Sequence, residues 1–120
     1  MSTQDTCCTL VPYFTVEPTQ LNAFKTLCEQ FVEKTRNEPQ CLHYAFSFLE
    51  NRAHCREGYE SADALLNHLD NVGAILEQAL QISALERLEV HGPEDELAKL
   101  REPLAGLNPQ FFVLGDGFRR

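Results

Sequence analysis

Residues 8–16, CTLVPYFTV, alternate along the chain. Leu10, Pro12, Phe14 and Val16 fall on one side, and Val11, Tyr13 and Thr15 on the other. That period of two predicts a strand, and Pro12, which has no N–H to donate, predicts a free edge or a bulge within it. The pattern then changes. Across residues 17–39, Leu21, Phe24, Leu27, Cys28, Phe31, Val32 and Thr35 recur at helical spacing. Pro18 suits the first turn of that amphipathic helix and Pro39 ends it.

Alternation returns in residues 41–50, CLHYAFSFLE, with Leu42, Tyr44, Phe46 and Phe48 on one face and His43, Ala45, Ser47 and Leu49 on the other. Residues 53–60 read as its partner strand after a short turn at Asn51-Arg52. A two-residue turn there sets Tyr44 opposite Tyr59, Phe46 opposite Glu57 and Phe48 opposite Cys55, and one further loop residue would reverse the faces of the second strand. Ser61 is a good N-cap for the next helix, and Asp63 supports its first turn. This helix is expected to run to about Ser83, with Gly73 as a point of loosening. Residues 84–92 predict a fourth strand. Pro93 and the acidic residues after it open a short helix carrying Leu97, Leu100 and Leu104, which Pro103 ends, and residues 110–117 close with a short strand.

The resulting order, β-α-β-β-α-β followed by a short helix and strand, predicts an α+β fold. It is the ferredoxin-like arrangement, an antiparallel sheet with two main helices on one face. One domain over residues 1–120 is expected, with a core at about 8–92 and an extension at about 93–120. The uncovered sheet face would expose aromatic side chains, and a symmetric homodimer stacking two such faces would bury them.

Charge and cysteine content narrow the partners. The 10 basic and 18 acidic side chains give a net charge of −8, which repels phosphate backbones, so no nucleic-acid partner is expected. No apolar run approaches a bilayer span, and the N-terminal residues lack the basic-then-apolar order of a secretory signal. The five cysteines (Cys7, Cys8, Cys28, Cys41, Cys55) contain no C-x-x-C, and their odd number favours free thiols in a reducing cytoplasm. Cys41-x-His43 and His54-Cys55 offer ligand types, but neighbouring strand residues point to opposite faces, so no metal site is expected. Gly115-Asp116-Gly117 reads as a turn, because no strand-loop-helix frame surrounds it.

On the second helix, Ala64, Leu65, Leu69, Val72, Ile75, Leu76 and Ala79 form one apolar stripe, and His68 lies within it. Two readings of this inward histidine stand. One is a core residue satisfied by a hydrogen bond; the other is a base or donor at the end of a pocket, a task suited to a group titrating near neutrality. Glu57 and Tyr59 share a strand face. A carboxyl group among Tyr44, Phe46 and Tyr59 would be pushed up by desolvation, as acid–base residues often are, unless it pairs with a basic group such as His68 or turns to solvent.

EPQCLHYAFSF resembles the E-P-G-C-L-x-Y segment of antibiotic biosynthesis monooxygenase (ABM) domain proteins, with Gln40 in place of the glycine. REGYESADALLNHL resembles their E-x-[W/Y]-x-s-x-x-A-l-x-x-H-l stretch, matching at Glu57, Tyr59, Ala64 and His68. The likeness covers about residues 8–92. It implies a dimeric α+β barrel with a pocket between sheet and helices in each subunit. Among the reactions it implies is oxygenation of a small aromatic or quinol-like substrate without metal, flavin or other cofactor. His68 would then be the base or substrate anchor, Glu57 its orienter, and Tyr44, Phe46 and Tyr59 substrate-binding wall. Two alternatives remain at this stage, a non-oxygenase such as an isomerase and a non-catalytic small-molecule-binding dimer. Haem degradation is not expected, since the Asn, Trp and His set of the haem-degrading relatives cannot form in a chain without tryptophan.

Overall fold

The computed structural model describes residues 5–120; residues 1–4, the start of the segment read for a secretory signal, lie outside it. The main elements are β1 (Cys8–Val16), α1 (Leu21–Thr35), β2 (Cys41–Leu49), β3 (Arg52–Tyr59), α2 (Ala62–Gln81) and β4 (Ser83–Gly92), followed by a one-turn α3 (Glu94–Leu97) and β5 (Gln110–Val113). The sheet order is β2-β3-β1-β4-β5. β1, β2, β3 and β4 pair antiparallel, and β5 adds to the β4 edge in parallel. This is the expected α+β, ferredoxin-like arrangement, and α1 and α2 pack against one another over the same sheet face. The α+β class holds with one addition, since β5 makes the sheet mixed.

The strand periodicity sets the two faces. In β1, Cys8, Leu10, Pro12, Phe14 and Val16 are buried, while Tyr13 between them is exposed. Pro12 sits in a strand with neighbours on both sides, and the ladder with β4 slips beside it, between Tyr13 and Phe14. An irregularity there is what a residue without an N–H requires. Phe24, Leu27, Cys28 and Phe31 of α1 meet Val72, Ile75 and Ala79 of α2 and Phe14 and Ala53 of the sheet in one cluster. A second cluster joins Leu10, Tyr59, Leu65 and Val90 to Leu97, Leu100 and Leu104 of the extension.

Several boundaries differ from the sequence expectation. Pro18–Gln20 forms a turn of 3-10 helix ahead of α1, as suits a proline with a fixed φ at a helix start. α2 ends at Gln81, and it passes Gly73 without interruption. The extension keeps only four α-helical residues, after which hydrogen bonds such as Leu100 N–H to Leu97 O and Leu104 N–H to Leu100 O carry the chain through turns.

The β2–β3 turn is Glu50-Asn51, one residue earlier than expected. Glu50 adopts a left-handed φ of 53°, and Asn51 is tied to the end of β1: its Nδ2 donates to Val16 O at 2.8 Å, while its carbonyl accepts from Val16 N–H at 2.8 Å. Tyr44 therefore lies opposite Glu57, Phe46 opposite Cys55 and Phe48 opposite Ala53. The expected pairs are displaced by two residues. A shift of two preserves the faces, so the inward set survives from Tyr44 onward. An irregularity between Cys41 and His43, however, packs Cys41 against the core and leaves the expected inward Leu42 exposed.

Candidate functional site

Three segments bring five polar side chains together, Glu57 and Tyr59 from β3, His68 and Asn71 from α2, and Glu38 from the link between α1 and β2. β3 places Glu57 on the inner sheet face between Leu10 of β1 and Tyr44 of β2. Ser61 caps α2, accepting from Ala64 N–H at 3.3 Å, and two turns later the apolar stripe carries His68 inward, where it is 2% exposed. The third segment is the link from α1 to β2. α1 ends at Thr35, and Glu38 follows two turn residues, where Pro39 disfavours helical backbone at the residue before it. Two backbone bonds hold Glu38 there, its N–H to Thr35 O at 2.9 Å and Cys41 N–H to its own carbonyl at 3.2 Å.

Glu38 is the partner of His68. Its carboxyl oxygens stand 2.9 and 3.1 Å from His68 Nδ1, and Asn71 Nδ2, one turn further along α2, donates to Glu38 Oε2 at 2.8 Å. With Nδ1–H donating to Glu38, the Nε2 lone pair turns toward Glu57 Oε1, which lies 3.5 Å away. Tyr59 Oη donates to the same Oε1 at 2.5 Å. The rings of Tyr44 and Tyr59 flank the imidazole, each with its centroid 5.1 Å from it.

Burial dominates the electrostatics. It pushes the Glu57 carboxyl up from 4.5 to about 8, although hydrogen bonds from Tyr59 and Cys55 act the other way. Glu57 is thus largely a neutral acid at pH 7. Burial also lowers His68, opposed by the charge and hydrogen bond of Glu38. The resting pair is an imidazole facing a carboxylic acid. Desolvation likewise raises the Tyr44, Tyr59 and Cys55 groups, so all three keep their protons.

His68 and Glu57 face a cavity of about 40 Å³ between sheet and helices. Its remaining wall is apolar or aromatic, with Phe14 and Leu88 from the sheet, Phe31 from α1, Leu69 and Val72 from α2, and Leu107 from the extension. At roughly 10–15 Å³ of such space per water, the free volume suits about three or four waters. A larger occupant must displace side chains at the rim.

The sequence-predicted site residues can now be located. Glu57, His68, Tyr44 and Phe46 all border the cavity. Tyr59 does not; it is fully buried behind Glu57 and reaches the site through its hydroxyl. The group that orients His68 is Glu38, whereas Glu57 faces the opposite ring nitrogen. Sequence reasoning passed over Glu38 because its partner lies 30 residues away. The available signal was a carboxyl group immediately before a helix-ending proline, within the E-P segment itself. No cluster of three or more metal-ligating side chains occurs among the described residues.

Set beside known proteins, residues 8–74 match the sequence pattern of the family Antibiotic biosynthesis monooxygenase. The chain belongs to this family. It is similar to MupZ from Pseudomonas fluorescens at 46% identity, with 100% of this chain and 94% of that one covered and a TM-score of 0.94. Rv0793 from Mycobacterium tuberculosis shares the fold at 21% identity and a TM-score of 0.65, covering 72% of this chain and 94% of that one. An antibiotic biosynthesis monooxygenase at 19% identity, covering 69% and 92%, has a TM-score of 0.62. The similarity to MupZ therefore includes the extension. No curated protein matches the chain.

Proposed function

We propose that this ABM-family protein is an enzyme that moves a proton on a small, largely apolar molecule held between its sheet and helices. One observation carries the reading: His68, gripped at Nδ1 by Glu38, presents Nε2 to a cavity where the buried acid Glu57 stands 3.5 Å away. A base with a fixed tautomer and a neutral acid on one apolar wall are the two tools of general acid–base chemistry. Tyr44 and Phe46 supply aromatic wall for a ring, and the dry surroundings strengthen any charge interaction made within.

Family membership favours cofactor-independent oxygenation of a phenol or quinol as the reaction. His68 Nε2 takes the hydroxyl proton and the electron-rich anion reacts with O₂, while Glu57, as a neutral acid, donates a hydrogen bond to a substrate oxygen. That same neutral acid favours a second reading, an oxygen-independent isomerisation in which Glu57 protonates what His68 deprotonates. Oxygen uptake and product formation with a panel of simple quinols, measured in air and under argon, separate the two. His68→Asn should abolish either activity while preserving the fold. Undiminished turnover in that variant would overturn the proposal.

The protein is taken to work as a homodimer that stacks outer sheet faces. Exposed Tyr13, stacked on His54, and Phe112, stacked on His91, support that arrangement. Five unpaired thiols support a reducing, cytoplasmic setting. Among the described residues no helix is long and apolar enough to cross a membrane.

A further inference from the structure

Glu38 has two sides. One holds His68; the other borders a separate surface cleft of about 220 Å³, lined also by Thr35, Arg36, Cys41, His43 and Tyr44. His68 lines the cavity and not this cleft, and Glu38 lines the cleft and not the cavity. The 2.9 Å hydrogen bond between them therefore crosses the wall that separates the two spaces. The titratable groups on the cavity wall are Tyr44, Cys55, Glu57 and His68. Cys55 and Glu57 line the cavity and not the cleft; Tyr44 borders both spaces, and its hydroxyl interacts with Thr35 and Cys55. Tyr44 is thus the competing route.

We infer that Glu38 and His68 form a proton relay that connects the buried site to solvent through the cleft between the end of α1 and β2. The inference rests on the acid–base reading of the site. When Nε2 takes a proton from a bound molecule, the Nδ1 proton moves to a Glu38 oxygen and from there to water in the cleft. The ring is left protonated at Nε2 alone. Delivery of that Nε2 proton to the product, with uptake of one proton through Glu38, restores the starting tautomer, so each proton released through Glu38 is matched by one returned. Asn71, donating to Oε2, keeps the Glu38 carboxyl in register with Nδ1 throughout. Besides Glu38 and Tyr44, the charged or titratable groups lining the cleft are Arg36, Cys41 and His43, and Glu57 is the one facing Nε2. Glu38 acts here through His68 and is a positioning and relay residue.

The test needs no substrate. In full-length protein labelled with ¹⁵N in its histidine rings, the exchange of the His68 Nδ1 proton with water is measured by NMR. Glu38→Gln keeps an acceptor for Nδ1–H but cannot carry a proton, and should slow exchange about a hundredfold, the low end of what a positioned acid–base group contributes. Glu38→Asp should recover part of that rate, and Tyr44→Phe should leave it unchanged. Backbone amide exchange along α2, recorded on the same samples, corrects for any local opening the substitutions cause. Unaltered ring exchange in Glu38→Gln after that correction, or slowed exchange in Tyr44→Phe, would overturn the relay. Loss of quinol turnover in His68→Asn with exchange indifferent to Glu38→Gln would sink the relay alone. Relay behaviour in a protein that turns over no tested compound would sink the proposed function alone.

Discussion

Replacing Glu57 by glutamine should change how stability depends on pH, by an amount that follows from its burial. The folded protein holds the Glu57 proton up to about 8, against 4.5 for the ordinary side chain. Between those values the folded state binds more protons than the unfolded chain, so stability falls as pH rises, the reverse of the usual salt-bridged carboxylate. The loss begins above 4.5 and is complete above about 8. Between pH 6 and pH 9 the two binding curves differ by about 3 kcal/mol, at 1.36 kcal/mol per tenfold change in proton affinity. Glutamine offers Tyr59 the same acceptor but has no proton to lose. Urea unfolding followed by far-UV circular dichroism, at fixed protein concentration, supplies the two profiles. His68 contributes a slope of opposite sign below its ordinary range, because burial lowers it, but this is common to both proteins and cancels in their difference. The variant should therefore gain about 3 kcal/mol on the parent from pH 6 to pH 9. Parallel profiles would mean that Glu57 is already ionised at pH 6, and the neutral acid in the proposed mechanism would be lost with it.

Glu96, buried in the extension, accepts from Ala62 N–H at the start of α2 at 2.9 Å. Glu96→Ala should cost about 1–3 kcal/mol in urea unfolding and Glu96→Gln much less, because the second retains an acceptor for a buried N–H. Ser61→Ala removes the bond to Ala64 N–H and should cost about 1 kcal/mol by the same measurement. Sedimentation of the parent protein should show a dimer. Tyr13→Glu, which sets a charge on the outer sheet face beside His54, should shift it to monomer without unfolding it; a folded monomer in the parent would refute the stacked-face arrangement.

The residues that carry local periodicity were legible without a structure. Alternation in residues 8–16 and 44–48 assigned the inward set correctly but misplaced Leu42, which the irregularity at the start of β2 leaves exposed; the helical stripe turned His68 inward, and Ser61 marked the start of α2. These features depend on the geometry of a single element, which a few neighbouring residues determine. The pairing of β2 with β3 was not legible to the same degree, since it follows from a left-handed Glu50 and from Asn51 anchoring to Val16, a contact between distant segments. The displacement was by two residues, and for that reason the faces came out right from Tyr44 onward while the partners did not.

The sequence by itself determined which side chains look inward: Glu57 and Tyr59 on one strand face, His68 on one helix stripe, and aromatic wall at Tyr44 and Phe46. Only the tertiary structure decided what each of them meets. It set Glu38, from a proline-terminated link, against His68 Nδ1, drew Tyr59 behind Glu57, and brought Leu107 and Glu96 of the extension to the cavity and to the start of α2. The physical reason is range. Periodicity is fixed by bonds between near neighbours, whereas a hydrogen bond spanning 30 residues exists only once two helices and a sheet have packed in one register.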